Sequence, residues 1–132
     1  MTQRPIVLLV DQNSSVLDFM TKLFQQAGFG VIAASCEDDA CSAWQRNKDR
    51  IAAVIADYEL GPDITGDQLC VQFASAKPGL KTFLLSAYPL DNPRLAHNRE
   101  GIDFFAKPFD WAYFLAVIQQ QVAADPTIEE AA

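Results

Sequence analysis

Four polar side chains end apolar runs in this 132-residue chain, and their chemistry is complementary. Asp57 closes the run Ile51-Ala52-Ala53-Val54-Ile55-Ala56, and Asp11 follows Ile6-Val7-Leu8-Leu9-Val10. Ser86 follows Thr82-Phe83-Leu84-Leu85, and Lys107, with Pro108 behind it, follows Phe104-Phe105-Ala106. Short runs of this kind read as buried strands, and a charge at the end of a buried strand needs a reason. In a parallel sheet the carboxyl ends of the strands share one edge, where open α/β folds bind ligands. Two carboxylates, a hydroxyl and an ammonium brought together there suit the holding of a divalent cation beside a phosphoryl group.

The segments between these runs must return the chain to the same edge, and their patterns predict helices. Asn13-Ser14-Ser15 is N-capping chemistry, and Val16, Leu17, Met20, Leu23, Phe24 and Ala27 then recur at helical spacing up to a stop at Gly28. Val31-Ile32-Ala33-Ala34 is a short strand. Ser35 with Asp38 three residues on resembles a capping box with Asp for Glu, opening a helix that carries Ala40, Ala43 and Trp44. Tyr58 to Thr65 is a loop marked by Gly61-Pro62-Asp63. Gly66 begins a helix with Leu69, Cys70 and Phe73 inward, stopped by Lys77-Pro78-Gly79. Pro89 and Pro93 leave only Arg94 to Glu100 for a regular helix in the next segment. A strand over Asp103 to Ala106 and a helix through Trp111, Phe114, Leu115, Ile118 and Val122 complete the chain. Residues 1–124 are expected to form one domain and residues 125–132 a flexible tail. Five βα units with short links predict a parallel sheet covered by helices on both faces.

Composition narrows the function. The chain is 50% hydrophobic and 20% charged, as a globular domain is. No apolar run approaches the roughly 20 residues that span a bilayer, and the short stretch after Arg4 and Pro5 is not expected to act as a signal peptide. A net charge of -7 argues against direct nucleic-acid binding. Cys36, Cys41 and Cys70 are odd in number and lack C-x-x-C spacing, which fits free thiols of a reducing compartment. A cytoplasmic location with no membrane partner is therefore expected.

In order and spacing, Leu8-Leu9-Val10-Asp11, Ile55-Ala56-Asp57-Tyr58-Glu59-Leu60, Leu84-Leu85-Ser86-Ala87 and Phe104-Phe105-Ala106-Lys107-Pro108-Phe109 resemble the receiver domain of two-component response regulators, over about residues 5 to 122. The resemblance implies an α/β, flavodoxin-like, doubly wound five-stranded parallel sheet with strand order 2-1-3-4-5. It implies that Asp57 is the phosphoacceptor, forming 4-aspartylphosphate with a phosphoryl group from a partner's phosphohistidine. Mg²⁺ is the implied cofactor, held by Asp11, Asp57 and the backbone carbonyl of Glu59, with Gln12 where a further ligand is expected. Lys107 and Ser86 would contact phosphoryl oxygens. Ser86 and Phe104 fall at the positions of the switch hydroxyl and the rotating aromatic, and Tyr88 is placed to gate the phosphate. The implied partners are a histidine kinase or a histidine phosphotransfer protein, and an output protein meeting residues 88–122. No enzyme activity is implied beyond self-phosphorylation and autodephosphorylation.

Two departures bear on the chemistry. The family usually ends its first strand with two acidic residues, whereas this chain has Asp11-Gln12. A charge pair at 4 Å is worth about 4 kcal/mol at an effective dielectric near 20, so weaker Mg²⁺ affinity and slower phosphotransfer are expected. The alternative is a phosphate-independent pseudo-receiver that binds partners with a compromised metal site. Gly66 also lies about one residue further from Asp57 than the usual loop glycine, a surplus assigned to Gly61-Pro62-Asp63. His97, the one histidine, lacks partners at helical spacing and reads as an exposed residue rather than a relay. A flavin or nucleotide protein of the same strand order would need a glycine- or hydroxyl-rich phosphate loop after the first strand. Asp11-Gln12-Asn13-Ser14 places a carboxylate there instead.

Overall fold

A computed structural model describes residues 4–87, 102–107 and 110–123. The expected helix over Arg94 to Glu100, Tyr88, His97, Pro108 and the tail after Ala123 lie outside the described residues. The chain order is β1 (Ile6–Val10), α1 (Ser14–Gln26), β2 (Gly30–Ala34), α2 (Glu37–Asn47), β3 (Ile51–Asp57), α3 (Gly66–Ala76), β4 (Lys81–Ser86), β5 (Asp103–Ala106) and α4 (Trp111–Ala123). The five strands form one sheet in the order β2-β1-β3-β4-β5, every neighbouring pair parallel. The expected fold class and strand order are those observed.

Strand alternation divides the core between two faces. Ile6, Leu8 and Val10 of β1 and Val54 and Ala56 of β3 pack with α2 and α3 through Trp44, Leu69 and Phe73. Val7, Leu9, Ala53 and Ile55 face the other way, onto Leu17, Met20 and Phe24 of α1 and Phe114, Ile118 and Val122 of α4. Each face has an aromatic centre. Trp44 stacks on Phe73 with ring centroids 4.5 Å apart. Phe114 meets Phe105 at 4.6 Å and Phe24 at 6.2 Å, both edge to face.

The register sets the functional edge. Val10 pairs with Ala56, so Asp11 and Asp57 leave adjacent strands at the same level. Asp57 pairs with Leu85 and Ser86 with Ala106, which carries Ser86 and Lys107 to that level on the other side.

Local chemistry starts the helices, with one correction. The Asn13 side chain accepts from the N–H groups of Ser15 (3.0 Å) and Val16 (3.2 Å), capping α1 as its sequence predicts. Asp110 does the same for α4 through Ala112 N–H at 2.9 Å. The expected Ser35–Asp38 cap does not form: α2 begins at Glu37, and the extended Cys36 is its N-cap with no side-chain bond. Ser35 thus lies one residue outside the cap, and Glu37, Asp38 and Asp39 instead place negative charge at the positive end of the helix dipole.

Phe73 is 1% exposed and carries one face of the Trp44 stack. Phe73→Ala is expected to lower the unfolding free energy by about 3–5 kcal/mol, read as a lower urea midpoint with an unchanged slope.

Candidate functional site

Four strand ends and one loop build the site. Asp11 leaves β1 with its N–H donating to Ala34 O at 3.1 Å, so β2 fixes its backbone. Its side chain is almost sealed, with the residue 2% exposed. Oδ1 accepts from Asn13 N–H at 2.8 Å. Oδ2 is buried and has no hydrogen-bond partner among the described residues. Burial pushes the Asp11 carboxyl above its ordinary value of 3.8, the Asn13 N–H opposes that rise, the nearby Asp57 charge adds to it, and Lys107 works against it.

Asp57 closes β3 and is 6% exposed. Its two oxygens have different partners: Oδ1 is ion-paired with Lys107 Nζ, and Oδ2 accepts from Glu59 N–H at 3.1 Å. The Lys107 side chain is 36% exposed, so the ammonium bridges the buried carboxylate and solvent. Its backbone N–H donates to Ser86 O at 2.8 Å, which fixes the end of β5 against that of β4. Ser86 is 1% exposed at this edge. Gln12 and Glu59 are exposed. Phe104 is half-buried and packs against the core on the α2–α3 face.

The β3–α3 loop is closed by contacts that the sequence analysis did not anticipate. Tyr58 N–H donates to Leu85 O at 2.8 Å, and Gly66 N–H to Tyr58 O at 2.9 Å. Glu59 and Thr65 form an isolated antiparallel bridge. Thr65 caps α3 in a capping box, its N–H donating to Gln68 Oε1 at 3.1 Å and its hydroxyl to the buried Asp67 carboxylate. The T-x-x-Q spacing of Thr65 and Gln68 was the available signal. Gly66 has a different role: a Cβ there would lie 2.0 Å from Asp57 O and 2.9 Å from Leu84 Cδ1. No other residue type lets this helix start so close to the end of β3. Beyond the bridge Gly61, at φ +124°, Pro62 and Asp63 are exposed.

The donors at this edge are oxygens, which suit a hard cation such as Mg²⁺ rather than a soft one. Among the described residues no three His, Cys, Asp or Glu side chains gather as a metal site. Mg²⁺ commonly takes only one or two carboxylates and keeps several waters, so Asp11 and Asp57 with the Glu59 carbonyl and Gln12 fit it. The orphaned Asp11 Oδ2 is the observation that favours a cation there. The cysteines stand apart as free thiols, and burial, with Asp67 adding to it, pushes Cys70 up to about 12.

A five-stranded parallel sheet with two carboxylates, a hydroxyl and a lysine at its carboxyl edge defines a receiver-like α/β domain. The profile of the response regulator receiver domain matches residues 7–119, and the chain belongs to that family, a component of two-component signalling. It is 31% identical over 109 residues to the transcriptional regulatory protein CreB of Escherichia coli (strain K12). That match covers 81% of this chain and 46% of CreB, so the chain spans about half the length of this relative. Among solved structures, a two-component response regulator from Clostridium difficile superimposes with a TM-score of 0.80 at 18% identity, covering 94% of this chain and 99% of that one. A CheY-like receiver domain protein from Methanospirillum hungatei JF-1 gives 0.78 at 21% identity, covering 98% and 100%. The CheX-CheY-BeF3-Mg complex from Borrelia burgdorferi gives 0.73 at 22% identity, covering 87% of each chain. Among the described residues no helix is long and apolar enough to cross a membrane.

Two variants test the site's energetics. Asp11 has its carboxyl raised in the fold, so its contribution favours folding below the unfolded value of 3.8 and turns unfavourable as pH rises through the folded value. In metal-free buffer Asp11→Asn is therefore expected to raise stability at neutral pH. The gain should fade as pH falls below 3.8, as read from thermal midpoints across a pH series. Gly66→Ala forces a side-chain carbon into the Asp57 carbonyl, and a loss of about 1–3 kcal/mol is expected in urea denaturation.

Proposed function

We propose that this domain is a phosphoacceptor: Asp57 takes a phosphoryl group from a partner's phosphohistidine in a Mg²⁺-dependent reaction. The observation that carries the reading is the convergence of Asp57, Asp11 and Lys107, with each Asp57 oxygen already bound to one donor. The carboxylate attacks phosphorus in line; the O–P bond forms as the N–P bond to the imidazole breaks, and the bond electrons return to the imidazole. Lys107 starts on Asp57 Oδ1 and is carried over to a phosphoryl oxygen as charge moves outward. The Glu59 N–H keeps the carboxylate oriented throughout. Ser86, buried at the adjacent strand end, donates its hydroxyl to another phosphoryl oxygen. Asp11, Asp57, the Glu59 carbonyl and Gln12 would hold Mg²⁺, which when bound neutralises the oxygens of the transferring group.

The switch follows from the same parts. Drawing Ser86 toward the acyl phosphate vacates space that Phe104, half-buried on the neighbouring strand, turns to fill. The two packings are alternative populations biased by one local charge event. The output surface is residues 88–122, of which α4 offers the exposed Tyr113. The phosphodonor is a cytoplasmic histidine kinase or histidine phosphotransfer protein, and the domain performs no independent enzymatic turnover of a separate substrate. The Mg²⁺ and BeF3 named with the Borrelia burgdorferi relative accord with this reading.

Intact-mass analysis after incubation with acetyl phosphate tests it. A Mg²⁺-dependent gain of one phosphoryl group, absent in Asp57→Asn, is expected. No gain at any Mg²⁺ concentration with acetyl phosphate or with a phosphorylated histidine phosphotransfer protein would leave phosphate-independent binding as the function.

A further inference from the structure

The charge balance of the site lacks one negative charge, and Glu59 is placed to supply it. Asp11 and Asp57 contribute −2 and Lys107 contributes +1, a formal sum of −1. Gln12, next to Asp11, offers an amide oxygen and no charge. A small divalent cation gives up water reluctantly, and its retention at a partly exposed edge depends on the anionic oxygens around it. One such oxygen is ready, because Asp11 Oδ2 is buried and unpartnered among the described residues.

Glu59 is tied to the nucleophile on both sides of its own peptide. Its N–H donates to Asp57 Oδ2 at 3.1 Å, and its bridge to Thr65 fixes the chain beyond it. Thr65 is in turn anchored by the α3 capping box, and Gly66 by its hydrogen bond to Tyr58 O. The backbone of Glu59 is therefore set against Asp57, while its side chain is exposed. In the resting conformation it forms no three-carboxylate cluster with Asp11 and Asp57.

We propose that the Glu59 side-chain carboxylate turns over the site when the cation binds and supplies the second acidic charge that Gln12 does not provide. This role belongs to the side chain and is separate from that of the Glu59 carbonyl. It rests on the metal-dependent reading of the site, and it makes Glu59 a specificity-determining residue for cation affinity in this chain.

The test is a double-mutant cycle read by Mg²⁺ binding to the unphosphorylated full chain. Isothermal titration and the Mg²⁺-dependent rise in thermal midpoint are measured for the natural sequence, E59Q, Q12D and the E59Q/Q12D pair. Glu59→Gln keeps the backbone carbonyl and the side-chain size, so only the charge is removed. It is expected to weaken Mg²⁺ affinity roughly tenfold in the natural sequence and less than about twofold in the Q12D background, a coupling that contacting charges produce. Glu59→Asp should retain most of the affinity. An unchanged thermal midpoint in chelator for E59Q is part of the expected result, since a structural role would move it. Equal weakening in both backgrounds, or no weakening in the natural sequence while Q12D binds Mg²⁺, overturns the role of Glu59 alone. Absence of Mg²⁺ binding in all four proteins overturns this role together with the metal-dependent reading.

Discussion

Two carboxylates buried side by side, Asp11 and Asp57, are the constraint around which this domain is arranged. Like charges removed from water repel and desolvate at a cost of several kcal/mol, and one lysine from the far end of the chain offsets part of that cost. The Lys107–Asp57 ion pair joins residues 50 apart in sequence and connects β5 to β3 across β4. It leaves Asp11 Oδ2 unsatisfied among the described residues. An unsatisfied buried charge in an otherwise well-packed fold is retained stress at a functional site. The fold carries that cost in its resting stability.

The remainder of the structure holds that edge still. β1 is buried along its whole length, and β3 all but one residue, so both carboxylates extend from strands that packing on two faces makes rigid. Lys77 reinforces the opposite end. Its ammonium donates to Lys48 O at 2.8 Å and Ile51 O at 2.6 Å, tying the end of α3 to the α2–β3 turn. The α2–α3 side is thus cross-linked at its base. On the β4–β5 side Phe104 is half-buried.

Much of this was legible in the residues. Apolar runs ending in Asp11, Asp57, Ser86 and Lys107 identified the strands and the edge, because burial on both faces demands continuous hydrophobic sequence. The strand order and the individual roles came from resemblance, since periodicity does not choose among parallel topologies. What escaped was non-local or one residue fine. The cap of α2 shifted from Ser35 to Cys36 because neighbouring acidic residues serve the helix dipole wherever the turn begins. The closeness of Gly66 to Asp57 depends on a tertiary contact, as do the carbonyl partners of Lys77, 26 and 29 residues away. Thr65 and Gln68 carried a readable capping signal, but its bearing on Asp57 emerges only once the loop is closed.

That closed loop has an implication for how such domains diversify. The Glu59–Thr65 bridge separates a hydrogen-bonded base from a tip made of Gly61, Pro62 and Asp63, all exposed, with Leu60 buried beneath it. Chain length can change at the tip while Asp57 stays in register, because an added residue lengthens an arc whose two ends are already pinned. The tip is accordingly the place where a reporter peptide can be spliced beside Asp57 without displacing it.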